Sequence, residues 1–269
     1  MALAIGVLIG LVLGLTGAGG SVLALPLLVS VLGLGIAESA GLSLGAVALA
    51  ALTGVLLRWH RHEVLWRPAL LLAVTGALLT PLGQWLGRQL PALLLLGLFA
   101  VLALVIALRL WRQAVRDPAA ARITRAGAAD PVASQAPVCR IEGQQLAWSS
   151  PCLRRLLLAG VATGLLSGLF GVGGGFVIVP ALVLFIGLDM PRAVATSLAV
   201  IALVAGSGFI TFMAAGQLPL VWPMVAAGAF IGMLAGTVLA RHLAGPRLQQ
   251  GFALLIVAMT GLMLWQQLA

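Results

Sequence analysis

Two runs of small residues interrupt apolar, helix-length stretches of the chain: Thr16-Gly17-Ala18-Gly19-Gly20-Ser21 and Gly171-Val172-Gly173-Gly174-Gly175. Glycine has no side chain to shield its N–H, so a glycine-rich break leaves main-chain donors open to a ligand. A helix that begins just after such a break also aims its positive dipole end at that point. Together these features make an anion site. Hydroxyls that could complete the shell are Ser21 at the first break and Ser43, Thr196 and Ser197 in the helices that follow. Pro26 and Pro180 stand at the same distance beyond the two runs and are candidate helix breaks. The competing reading is that small residues only let helices approach closely.

The residues that are missing narrow the chemistry further. Glu38 and Asp189 sit at segment ends and Glu63 in a loop, so no carboxylate lies inside an apolar stretch and no intramembrane acid relay is available. His60, His62 and Glu63 form a basic loop edge and are expected to anchor at the interface rather than bind a metal. There is no phosphate-binding loop signature, no Ser/His/Asp spacing and no zinc-type cluster. Neither an enzyme nor a cofactor or metal is therefore expected. Arg88 and Arg192, near segment ends, could recruit anions, although snorkelling to the interface is the commoner role of such residues.

The elements that must position these groups are membrane helices. The chain is 62% hydrophobic and only 8% charged, with a mean hydropathy of +1.18, which leaves too little polar surface to cover a water-soluble domain. A net charge of +9 would suggest nucleic acid in a soluble protein. Here every basic residue is Arg and they gather in loops, as topology signals do, so the lipid bilayer and not nucleic acid is the expected surroundings. Apolar segments are read at 2–34 (broken at its glycines), 39–57, 66–85 and 92–111, and again at 156–188 (broken), 193–213, 221–240 and 247–265. Residues 1–111 and 156–269 are thus two membrane units, joined by a polar, Arg-rich linker at 112–155. Trp59, Trp66, Trp85, Trp111, Trp222 and Trp265 mark segment ends. Cys139 and Cys152 lie in the linker and should stay reduced if it is cytosolic.

The two units are copies. Gly10, Gly14, Gly17, Gly19, Gly20 and Pro26 recur 154 positions later as Gly164, Gly168, Gly171, Gly173, Gly174 and Pro180, and Ser43-Leu44 recurs as Ser197-Leu198. If each broken segment is a hairpin that returns to its own side, the copies are inverted and fourteen of the fifteen Arg lie on one side, with Arg88 on the other. If each crosses once, the copies are parallel and the division is eleven against four. The positive-inside rule favours the inverted arrangement, with the linker cytoplasmic. The parallel eight-span arrangement stays open.

The doubled Gly-x-Gly-Gly-x5-Pro pattern, Gly17 to Pro26 and Gly171 to Pro180, followed by Ala195-Thr196-Ser197-Leu198, resembles the TauE/SafE family of sulfite exporters. The resemblance covers both copies. It implies a multi-pass permease of the bacterial inner membrane for sulfur-containing anions such as sulfite, sulfoacetate or other organosulfonates, usually exporting them. Ser21 stands where the second copy has Gly175, and Leu42 where it has Thr196, which makes the first half-site less open. The expected protein is an all-α polytopic secondary transporter. Its small anionic substrate would bind between two facing breaks, at Gly17, Gly19, Gly20, Ser21, Ser43, Gly171, Gly173, Gly174, Gly175, Thr196 and Ser197. A passive anion channel and a non-transporting scaffold subunit are the alternatives, and homo-oligomers are compatible with either.

Overall fold

The computed structural model describes residues 1–17, 20–59, 63–116, 141–142, 145–146, 150–171, 190–215 and 220–243, with scattered positions between 175 and 188 and between 250 and 265. The architecture is helical: α1 (Ala2–Thr16), α2 (Gly20–Leu32), α3 (Ile36–Arg58), α4 (Trp66–Gln89), α5 (Ala92–Arg116), α6 (Ser150–Phe170), α7 (Met190–Ala214) and α8 (Trp222–Leu243). A two-residue antiparallel pair, Ile141–Glu142 with Gln145–Leu146, lies in the linker. Among the described residues, α3, α4, α6, α7 and α8 are long and apolar enough to cross a membrane. Helix α6 begins six residues before the segment read from hydropathy, because Ser150-Pro151 opens it. Proline is well tolerated at a helix start, where its missing N–H has no helical partner anyway.

With no water to drive burial, helices in lipid associate through close packing, and small residues set how close they come. Gly6, Gly10 and Gly14 of α1 lie directly on the backbone of α8 at Val225, Ala229 and Gly236. Gly160, Gly164 and Gly168, the same positions plus 154, lie on α4 at Leu72, Gly76 and Thr80. In return, Gly228, Gly232 and Gly236 of α8 meet α1, and Gly83 and Gly87 of α4 meet α6. Each seam joins one half of the chain to the other. The outward faces carry large apolar side chains instead, such as Leu70, Val74, Leu78, Leu82 and Trp85 on α4.

These contacts fix the directions of the helices. Rising positions on α1 meet rising positions on α8, and the same holds for α6 on α4, so both seams are parallel. In the centre, Gly41 meets Phe212, Gly45 meets Phe209 and Gly54 meets Leu198, so α3 and α7 run antiparallel. Gly45 also meets Trp222 and Gly54 meets Met233, which makes α8 parallel to α3. Helix α1 therefore descends alongside α3, and α2 must climb back to reach α3's first residue after a three-residue connection. The chain reverses at the first glycine break.

Hydroxyls inside the bundle mostly satisfy themselves. Thr16, Thr53, Thr80, Thr163, Thr211 and Thr237 each donate to the carbonyl four residues back. Cys152, in the first turn of α6, is buried and disulfide-bonded, which differs from the reduced state expected of a cytosolic loop. Cys139, the chain's other cysteine, lies outside the described residues.

Candidate substrate site

Both breaks are built the same way. Gly17 (φ 72°) and Gly171 (φ 65°) end α1 and α6 in the left-handed conformation that suits glycine, and their N–H groups donate to Leu13 (2.7 Å) and Ser167 (2.9 Å) carbonyls. Each break lies against the other half of the chain. Gly17 abuts Val194, one turn into α7, and Gly171 abuts Ala40, one turn into α3. Val194 and Ala40 are themselves 154 positions apart. Any side chain at either glycine would meet both backbone strain and its neighbour.

Two of the expected shell hydroxyls are occupied across the halves. The Ser43 hydroxyl, fully buried, donates to the Gly171 carbonyl. The Thr196 hydroxyl accepts the Leu65 N–H (3.1 Å), tying the start of α4 to α7. Ser197, the counterpart of Ser43, turns instead to the Val194 carbonyl of its own helix (2.9 Å). Gly20 and Ser21 are the first residues of α2, and Gly175 is helical and buried. Gly19, Gly173, Gly174 and Pro180 lie outside the described residues, as do His60 and His62. Helix α2 continues through Pro26, so the interruption in this half is at Gly17 rather than at the proline.

Gly17 and Gly171 do not face each other. Gly171 sits beside Ala40, near the start of α3, whereas Gly17 sits beside Val194, beyond the level at which Leu198 meets Gly54. Ala40 and Gly54 alone are separated by about 21 Å of helix at 1.5 Å per residue. The reason is the antiparallel α3/α7 pair, which carries equivalent positions to opposite ends. Gly171 with Ser43 thus lies at one end, and Gly17 with Val194 at the other.

A cavity of about 330 Å³ opens at the Gly171 end, walled by Ala40, Gly41, Gln84, Arg88, Gly168 and Phe212 among others. Arg88 is the one charged residue among the described residues of this lining. It is exposed, and Gln84 lies one turn before it on the same face of α4. Gln84 Nε2 donates to the Gly208 carbonyl (2.8 Å), whereas its Oε1 is buried with no hydrogen-bond partner. Glutamine 84 was not among the residues singled out from spacing. The available signal was a lone amide in an apolar segment, four residues before an arginine.

The whole chain fits one family. The model of the sulfite exporter TauE/SafE family matches residues 2–263. The chain belongs to the TauE/SafE family. A protein of Xylella fastidiosa strain Temecula1, named a probable membrane transporter protein, is 32% identical over 98% of this chain and 94% of its own length. A relative from strain 9a5c of that species carries the same name and is 31% identical over the same shares. A Methanocaldococcus jannaschii protein, also named a probable membrane transporter protein, is 48% identical over 63 residues, 23% of each chain. No solved structure matches. As a member of the TauE/SafE family the chain is a multi-pass membrane transporter and not an enzyme.

Proposed function

We propose that this transporter moves small sulfur-containing anions such as sulfite, sulfoacetate or another organosulfonate, in the export direction, across the bacterial inner membrane. The observation that carries the reading is the cavity at the second break, which has a cationic rim at Arg88, no carboxylate among the described residues of its lining, and the Gly171–Ser43 contact between the halves beside it. Such a lining favours an anion and offers no cage for a coupling cation. With a negative interior, outward movement of an anion is favoured by about 2.3 kcal/mol per charge per 100 mV. Export needs no second ion.

The two copies are read as inverted repeats, with the linker in the cytoplasm and both termini outside. Equivalent helices in copies related by an axis in the membrane plane must run antiparallel, and α3 and α7 do so. The reversal at Gly17 supports the hairpin that this topology requires. Each half-site would then face one side of the membrane, the cavity opening on the side of Arg88. Rocking of one half against the other would expose Gly171 with Ser43 and Gly17 with Ser197 in turn. Gly19, Gly20, Ser21, Gly173, Gly174, Gly175 and Thr196 supply the remaining backbone and hydroxyl groups along this path.

Proteoliposomes loaded separately with sulfite, sulfoacetate, taurine and sulfate test the substrate class. Efflux of a sulfur anion carrying net charge, selective over sulfate, is the expected result. Efflux of none of the four overturns the reading, and unitary single-channel currents would replace the carrier with a channel.

A further inference from the structure

Equivalent positions at the two ends of the bundle are packed differently. At one end Ala40 lies on Gly171, half-buried, and walls the cavity. At the other its counterpart Val194 lies on Gly17 and is only 6% exposed. The frame between the ends is nearly symmetric. Gly54 meets Leu198 and Met233, and Gly208, 154 positions after Gly54, meets Leu44 and Thr80. Leu44 and Thr80 precede Leu198 and Met233 by 154 and 153 positions. A symmetric frame with one open and one packed end needs an asymmetric contact to choose between them.

Such a contact stands two residues beyond Val194. The fully buried Thr196 hydroxyl accepts the N–H of Leu65, the N-cap of α4, and so fastens the start of α4 in one half to α7 in the other. At the cavity end the same position is Leu42, which has no side-chain oxygen to accept such a bond. An N–H left without a partner is costly where the chain is packed and costs nothing where water enters, so this bond stabilises the packed arrangement of its own end. We infer that the Thr196–Leu65 hydrogen bond is a latch that holds the Gly17 end closed, so that the carrier rests open at the Arg88 end. The inference rests on the alternating-access carrier reading and adds which state is preferred and what sets the preference. Opening passes the Leu65 N–H to water and frees the Thr196 hydroxyl for the anion path. Loss of one neutral hydrogen bond shifts a two-state ratio about three- to tenfold.

The test is the rate at which N-ethylmaleimide modifies Val194→Cys and Ala40→Cys in proteoliposomes, each in a chain whose Cys139 and Cys152 are replaced by serine. With Thr196 intact, the Ala40→Cys thiol should react faster than the Val194→Cys thiol. Adding Thr196→Val, which keeps the branched shape and cannot accept an N–H, should raise the Val194→Cys rate about three- to tenfold and should not raise the Ala40→Cys rate. Thr196→Ser keeps the acceptor and should leave both rates as they were. A general loosening of the bundle would raise both together. An unchanged Val194→Cys rate, or both rates raised alike, overturns the inference, and Thr196→Ala decides if Thr196→Val fails to insert. Wild-type sulfite flux with an unchanged Val194→Cys rate overturns the latch alone. No wild-type flux of sulfite or sulfoacetate overturns the carrier reading and the latch with it.

Discussion

Replacing Gly164 with alanine should push α6 away from α4. A Cβ at this position would lie 2.8 Å from the Gly76 Cα and 2.9 Å from its carbonyl carbon, and closer still to its carbonyl oxygen. Carbon atoms in ordinary contact are about 3.5–4.0 Å apart, so the helices must separate by about 1 Å. The obstruction is backbone, which cannot rotate aside as a side chain would. Overpacking of this kind costs about 1–3 kcal/mol, against which alanine recovers about 1 kcal/mol of helix propensity, leaving a net loss of up to about 2 kcal/mol. Gly97→Ala in α5 is the control, because nothing lies within 4 Å of its would-be Cβ. There the propensity gain stands alone, and stability should rise by up to about 1 kcal/mol. Reversible unfolding of both variants in the same detergent, followed by tryptophan fluorescence, measures the difference of about 1–3 kcal/mol implied by these terms. Equal shifts in the two variants would refute the glycine seams as the contacts that join the halves.

Other consequences can be checked separately. Gly10→Ala, on the α1/α8 seam, should cost about as much as Gly164→Ala and add to it within about 0.5 kcal/mol in the double variant, since the sites share no partner. Ser43→Ala removes the hydrogen bond to Gly171 and should destabilise by about 1 kcal/mol and slow flux, whereas Ser197→Ala, which loses only a bond within its own helix, should lower stability less. Thiol alkylation in intact cells addresses the linker: if it is cytoplasmic, Cys139 should be modified without prior reduction, despite the disulfide at the buried Cys152. Protection until a reductant is added would place the linker on the oxidising side and contradict the proposed orientation.

Much of the scaffold was legible in the sequence because it is local. Apolar runs, Trp positions and the glycine at the end of α1 each report on a few neighbouring residues, and the 154-residue offset transfers what is learned from one copy to the other. The glycines at Gly10, Gly14, Gly164 and Gly168 were visible too, but the structure gives them to packing, as the competing reading held. What could not be read is how the copies embrace. The offset matches Gly17 with Gly171 without saying how far apart they lie, and only the antiparallel α3/α7 contact sends them to opposite ends. Pro26 looked like a break, yet a single proline can sit within a helix that neighbours support, and α2 runs through it. Gln84 was passed over because an uncharged amide leaves no mark in a charge count, and its importance depends on one partner, Gly208, 124 residues away.

Sulfite efflux from proteoliposomes holding the wild type or the Arg88→Gln variant, with equal insertion verified, tests the central claim most directly. The account predicts protein-dependent efflux that falls by roughly tenfold or more in the variant, the loss of about 1.4 kcal/mol or more from one charge-assisted contact. Efflux at the wild-type rate in Arg88→Gln would contradict an anion path through this cavity.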